Sequence, residues 1–153
     1  AYIYLKHENR PDKALGFINF LLEKYPNNLL FKTRKAESLI GLNRIDLAEP
    51  IVNELLKTSG RVYPLAGAVF QGIIDEKHNK NDKEAVNNYR KALKISMDIR
   101  YTKDYHAIAY LGLGRIALKG GNKSLAKDYF KKAIELSEYT KTTADAKKYL
   151  KSL

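Results

Sequence analysis

Residues 110–133 read YLGLGRIALKGGNKSLAKDYFKKA. Within them Tyr110, Leu113, Gly114, Ala117, Gly121, Ala126, Phe130 and Ala133 form a spaced signature of large and small residues. Tyr110, Leu113, Gly114 and Ala117 are three and four apart, the spacing of one helical face, and so are Ala126, Phe130 and Ala133. Gly120 and Gly121 lie between the two sets, where a first helix stops and the chain turns into a second. The unit is therefore a helical hairpin. A hairpin of this length cannot bury its own apolar face, so the fold must stack like units on one another.

The pattern recurs upstream in weaker form. Ala14, Ala48, Ala85 and Ala126 are separated by 34, 37 and 41 residues. Each is followed at +4 by Ile18, Val52, Tyr89 or Phe130, and at +7 by Leu21, Leu55, Ala92 or Ala133. These are the buried stripes of four second helices. In period and in residue type the units resemble tetratricopeptide repeats, and the resemblance runs over most of the chain. The last copy matches best, although Glu138 stands where the family closes on Pro. The first keeps that residue as Pro26 but has a short first helix, and the second carries Lys32 at a typically aromatic position. In the third, Gly72 and Ile73 reverse the usual large-small order, which leaves its register open by one residue.

The resemblance implies an all-α fold, a right-handed α-solenoid of antiparallel helix-turn-helix units. Residues 1–153 read as one domain with repeats at about 1–28, 29–62, 65–99 and 106–138. Thr142 reads as the start of a capping helix over 142–153, with Ala146, Tyr149, Leu150 and Leu153 on the face that covers the last repeat. Asp46 with Glu49 and Asn81 with Glu84 have capping-box spacing. Pro11 suits a first helical turn, whereas Pro50, at about the fourth helical position, favours a slight bend. Gly41 and Gly60 mark further helix ends or turns. The longer second and third spacings are expected to lengthen the third second-helix and the fourth first-helix by about a turn each, projecting a knuckle around Arg100 to Asp104, with a disordered loop as the alternative. Tyr101 and Tyr105 beside Arg100 and Lys103 there form either a contact surface or packing for the adjoining helices.

Several classes of function are disfavoured. No apolar run reaches the length of a bilayer span: Leu15 to Leu22 is short and contains Asn19. The absence of cysteine removes disulfides, thiolate metal sites and a cysteine nucleophile, and leaves the compartment open between cytoplasm and periplasm for a chain of soluble composition. His7, His78 and His106 fall in different repeats without metal spacing, and Asp75 and Glu76 project about 100° apart on a helix. Gly112, Gly114, Gly120 and Gly121 form no phosphate loop, since no Gly-Lys-Ser/Thr follows. The expectation is a non-enzyme without metal or cofactor. A start at Ala1 on a periodic apolar pattern reads as the C-terminal part of a longer protein, and the Lys, Asn and Ile bias fits an AT-rich bacterial genome.

The net charge of +11 would attract acidic partners or nucleic acid. Lysines number 21 against 7 arginines and occur along every helix, which reads as a solvated surface rather than a base-reading one. In tetratricopeptide proteins first helices line the concave wall. Carried over, that wall would present Arg34 and Glu37, then Phe70, Gln71, Ile74 and Lys77, then Leu111, Arg115 and Lys119. The Lys and Asn set of the chaperone-docking subset is missing, with Thr33 and Glu37 in two of its places. The groove expected is apolar in its middle and cationic at its edges, suited to a protein or peptide segment bearing acidic and large apolar residues. Two other readings are a nucleic-acid-binding solenoid using the basic surface, and a purely structural array that continues a stack or pairs two chains.

Overall fold

The chain reverses direction at four turns that share one backbone device. Asn9, Asn43, Lys80 and Gly121 each adopt a positive φ, and each lies five positions before one of the alanines Ala14, Ala48, Ala85 and Ala126. The left-handed residue turns the backbone and the second helix of a hairpin starts two residues later. The computed structural model describes residues 1–6, 8–96 and 102–153. Among these, the helices are α1 (Tyr2–Lys6), α2 (Pro11–Lys24), α3 (Leu29–Gly41), α4 (Ile45–Lys57), α5 (Val62–Lys77), α6 (Asp82–Leu93), α7 (Thr102–Lys119), α8 (Lys123–Leu136) and α9 (Thr140–Lys151), with no strand.

Two layers result. The odd-numbered helices touch in series, α1 to α3, α3 to α5, α5 to α7 and α7 to α9. Each even-numbered helix packs on the odd helix before it and the odd helix after it. The all-α stack of antiparallel hairpins expected from the sequence is the fold of the chain, and α9 closes its end. Phe130 and Tyr149 stack there with centroids 5.1 Å apart and planes 8° from parallel.

Small residues bring the layers together. Ala36, Gly72 and Gly114 occupy equivalent places on α3, α5 and α7, facing the +4 residue of the following helix. A Cβ on Gly72 would lie 2.6 Å from the Tyr89 ring, and one on Gly114 would collide with Phe130. Gly112 closes on the other side of Tyr89, so this ring fills a slot between two glycines. The reversed order at Gly72 and Ile73 now has a cause. The Asn81 N–H reaches back six residues to the Asp75 carbonyl, whereas Arg44 and Asn122 reach back five, to Leu39 and Ala117. One extra residue in the α5–α6 turn shifts the register by one. Ile18, Val52 and Phe130 are fully buried, and burial of each contributes about 1.5–3 kcal/mol.

Several local expectations change. Asn81 does cap α6, its side chain accepting from the Glu84 N–H at 3.2 Å. Asp46 does not cap α4: the helix opens at Ile45 with Arg44 as N-cap, and Asp46 sits inside the first turn. Pro50 is consequently the sixth helical residue, and its missing N–H leaves the Asp46 carbonyl without the usual helical donor. Helix α6 is not lengthened. It stops at Leu93, where Lys94 and Ile95 turn back onto the carbonyls of Arg90, Lys91 and Ala92. Helix α7 is long, at 18 residues. Arg100 and Tyr101 of the expected knuckle lie outside the described residues, and Asp104 and Tyr105 are buried rather than projecting. Helix α9 begins at Thr140, ahead of Thr142, because Tyr139 serves as its N-cap and accepts the first helical bond from Thr143.

Candidate partner-binding groove

All five odd helices contribute to one cavity of about 270 Å³. Its apolar part includes Phe70, Ile73, Ile108 and Leu111, with Leu5, Pro11 and Ile40 beside them, and its charged rim is Glu37, Lys77, Arg115, Lys141 and Asp145. Phe70, Ile73 and Lys77 on α5, and Ile108, Leu111 and Arg115 on α7, follow i, i+3, i+7 spacing, so each triplet is a single helical stripe turned to the same space. Beyond it, Ile18, Leu21, Leu30, Phe31, Val62 and Tyr63 line most of a second, larger cavity of about 500 Å³.

A polar bar lies between the two. Arg34 lines the second cavity and Glu37 the first, joined by an Nη1 to Oε2 contact of 3.1 Å, and Tyr139 lines both. Tyr105 packs edge-on to Phe70 at 6.0 Å and faces the second cavity. Burial works against the charge on Arg34, but the oxygens of Tyr105, Glu37 and Tyr139 more than offset it and hold the pKa above the ordinary arginine value. Burial pushes both phenols up; Arg34 pulls them down, and Glu37 and Asp104 add to the rise. Asp104 fixes the α8–α9 link by accepting the Glu138 N–H at 2.9 Å.

Arg115 is engaged elsewhere. Its Nε and Nη2 donate to Glu76 at 2.6 and 2.7 Å, and the Tyr89 hydroxyl donates to the same carboxylate at 2.7 Å. Lys77 remains exposed, yet desolvation by the surrounding helices lowers its pKa, and Arg115 and Lys141 lower it further against the opposing pull of Glu76 and Asp145. The rim therefore carries net positive potential at Lys77 and Lys141.

The nine residues expected on the wall divide clearly. Glu37, Phe70, Lys77, Leu111 and Arg115 meet at the first cavity, and Arg34 lies at the second. Gln71 instead donates to Asp75 at 3.1 Å, within a cage that Asn79 and Asn88 complete, each at 2.9 Å. Ile74 is fully buried in the core, and Lys119 pairs with Asp82 at the end of α7. Ile73 takes the groove position that Ile74 was expected to hold, as the extra turn residue dictates. Sequence reading missed Ile73, Ile108, Tyr139 and Lys141. The first two were accessible from the stripe spacing, whereas Tyr139 and Lys141 follow only from how α9 docks. Of the histidines, His78 reaches the cavity edge, His106 is buried beside α6, and His7 lies outside the described residues. Among the described residues, no cluster of three metal-ligating side chains occurs and no helix is long and apolar enough to cross a membrane.

A layered stack of helical hairpins whose odd-numbered helices frame a cavity defines a helical-repeat scaffold. Residues 107–140 match the family model described as tetratricopeptide repeat. Such repeats generally mediate protein–protein interaction. Comparison with curated proteins gave no match, and comparison with solved structures gave none.

Proposed function

We propose that this chain is a non-catalytic protein-interaction module that binds a short segment of a partner in the cavity framed by α1, α3, α5, α7 and α9. One observation carries the reading: five separate helices converge on a single recess with an apolar floor and a cationic rim. A partner segment suited to it places a large apolar side chain against Phe70, Ile73, Ile108 and Leu111, and an acidic group beside Lys77 and Lys141. Arg34 and Arg115 orient the walls through their carboxylate partners and leave the anion to the two lysines.

The test is selection from a displayed peptide library, followed by affinity measurement against the Lys77→Glu/Lys141→Glu double variant. Both side chains are exposed, so the variant keeps its fold. Selected peptides are expected to pair an acidic with a large apolar residue and to lose at least tenfold in affinity, roughly the value of one charge-assisted contact. Peptides that bind the folded variant undiminished would place recognition elsewhere.

A further inference from the structure

The net charge is not shared evenly. Residues 1–76 hold ten basic and nine acidic side chains, whereas residues 77–153 hold eighteen basic and eight acidic. Helices α8 and α9 hold eight of these basic residues against three acids, and of those lysines Lys141 lines the groove. Along α8, Lys123, Lys127 and Lys131 follow i, i+4, i+8, a ladder with steps of about 6 Å on one edge of the helix. All three are exposed, as are Lys132 and Lys91 nearby in sequence or on α6. Asp128 and Glu135 are the acids of α8, and among the described residues neither forms an ion pair with the ladder.

This arrangement works against the helix that bears it. Like charges four residues apart repel. The first turn of α8 has no acidic residue and its last turn no basic one, so the macrodipole gains nothing from the pattern. The repeat does not demand it either. The same three positions hold Pro11, Leu15 and Asn19 in α2, Ile45, Glu49 and Asn53 in α4, and Asp82, Val86 and Arg90 in α6. Lys123 and Lys127 have no acid three or four residues away on α8, so these are cations that the fold does not need and that an external anion would balance.

We infer that the outer face of α8 docks the phosphodiester backbone of a nucleic acid without reading its sequence. Lysine point charges without arginine forks suit phosphate contact rather than base recognition. Large exposed apolar residues, which a membrane surface would require, gather on α2 as Phe17 and Phe20, and only Leu125 lies on α8. The ladder edge carries no apolar anchor of the kind an acidic protein segment uses.

The experiment is fluorescence anisotropy of the intact chain with labelled DNA and RNA duplexes of mixed sequence, titrated over a range of salt, the two arms identifying which backbone is preferred. Binding should weaken steeply with salt. In the Lys123→Gln/Lys127→Gln/Lys131→Gln variant the slope of log K against log salt should fall by about 2 to 3, close to one unit for each phosphate that is no longer neutralised. The control Lys13→Gln/Lys24→Gln/Lys57→Gln, three exposed lysines of the near-neutral half, should leave the slope within about one unit of the parent. Circular dichroism checks that both variants stay helical. The inference is overturned by absence of a complex at low salt, by a ladder variant that keeps the parent slope, or by tighter binding to anionic vesicles or polyglutamate at matched charge.

Discussion

Substituting Gly112 and Gly16 by alanine should move stability in opposite directions. Both lie inside helices, α7 and α2, where alanine is favoured over glycine by about 1 kcal/mol. At Gly16 nothing lies within 4 Å of the new Cβ, so Gly16→Ala should stabilise by about 0.5–1 kcal/mol. At Gly112 the Cβ would enter the Tyr89 ring, whose other face is closed by Gly72. The ring cannot yield freely, because it is fully buried and its hydroxyl is held by Glu76 at 2.7 Å. Overpacking costs about 1–3 kcal/mol. Loss of a hydrogen bond to a charged acceptor adds about 1.5–3 kcal/mol. After the propensity gain, Gly112→Ala should destabilise by roughly 1.5–5 kcal/mol. Urea titrations followed by circular dichroism read the difference directly as a shift in midpoint. A Gly112→Ala protein as stable as the parent would refute the packing role assigned to the glycine slot.

Glu76→Gln strands Arg115 in a mostly buried position and should cost about 3 kcal/mol, with Tyr89→Phe costing less because it removes a single bond to that carboxylate. Asn122→Ala removes the acceptor for the Leu125 N–H at the start of α8 and should lower stability by about 1 kcal/mol in the same titration. Burial lowers the His106 pKa below its ordinary 6.5, partly opposed by the bonds to backbone at Ile95 and Ala92. Its unfolded form therefore takes up a proton first. The contribution to stability is complete above about pH 6.5 and declines as pH falls toward the folded value, so His106→Gln should flatten that part of the urea midpoint profile.

Helical periodicity made the layers legible, and small residues at fixed offsets made their contacts legible. Ala14, Ala48, Ala85 and Ala126 located every second helix, since burial against a neighbour constrains type and spacing together. Turn length was harder. One additional residue between α5 and α6 leaves each helix pattern intact and rotates only the assignment, which exchanged Ile73 for Ile74 on the groove wall. Polar side chains that bond across elements were invisible for a different reason. Arg115 to Glu76, separated by 39 residues, and Glu138 to Asp104, separated by 34, depend on three-dimensional approach that no local spacing encodes. The charge imbalance between the two halves is legible by counting, but the lack of an ion pair at Lys123, Lys127 and Lys131 among the described residues is not. His106 at the end of α6 had no sequence signal at all.

The bar formed by Arg34, Glu37, Tyr105 and Tyr139 sets the length of segment that the proposed groove can take. Arg34 and Glu37 come from α3, Tyr105 from α7 and Tyr139 from the link into α9, so the cap is tied across the odd-numbered layer to the second hairpin. Arg34 and Glu37 keep only 11% and 18% of their side-chain surface exposed, so a segment that parted them would leave each charge partly desolvated without its partner. A long helix laid along all five inner helices would have to meet that cost from its own contacts. A short segment confined to Phe70, Ile73, Ile108 and Leu111 does not touch it. The same bar holds Tyr105 against Phe70, so the floor of the recess is fixed before any partner arrives, and binding there spends little on ordering the receptor. Short reach and a preformed floor follow from one cluster of four side chains.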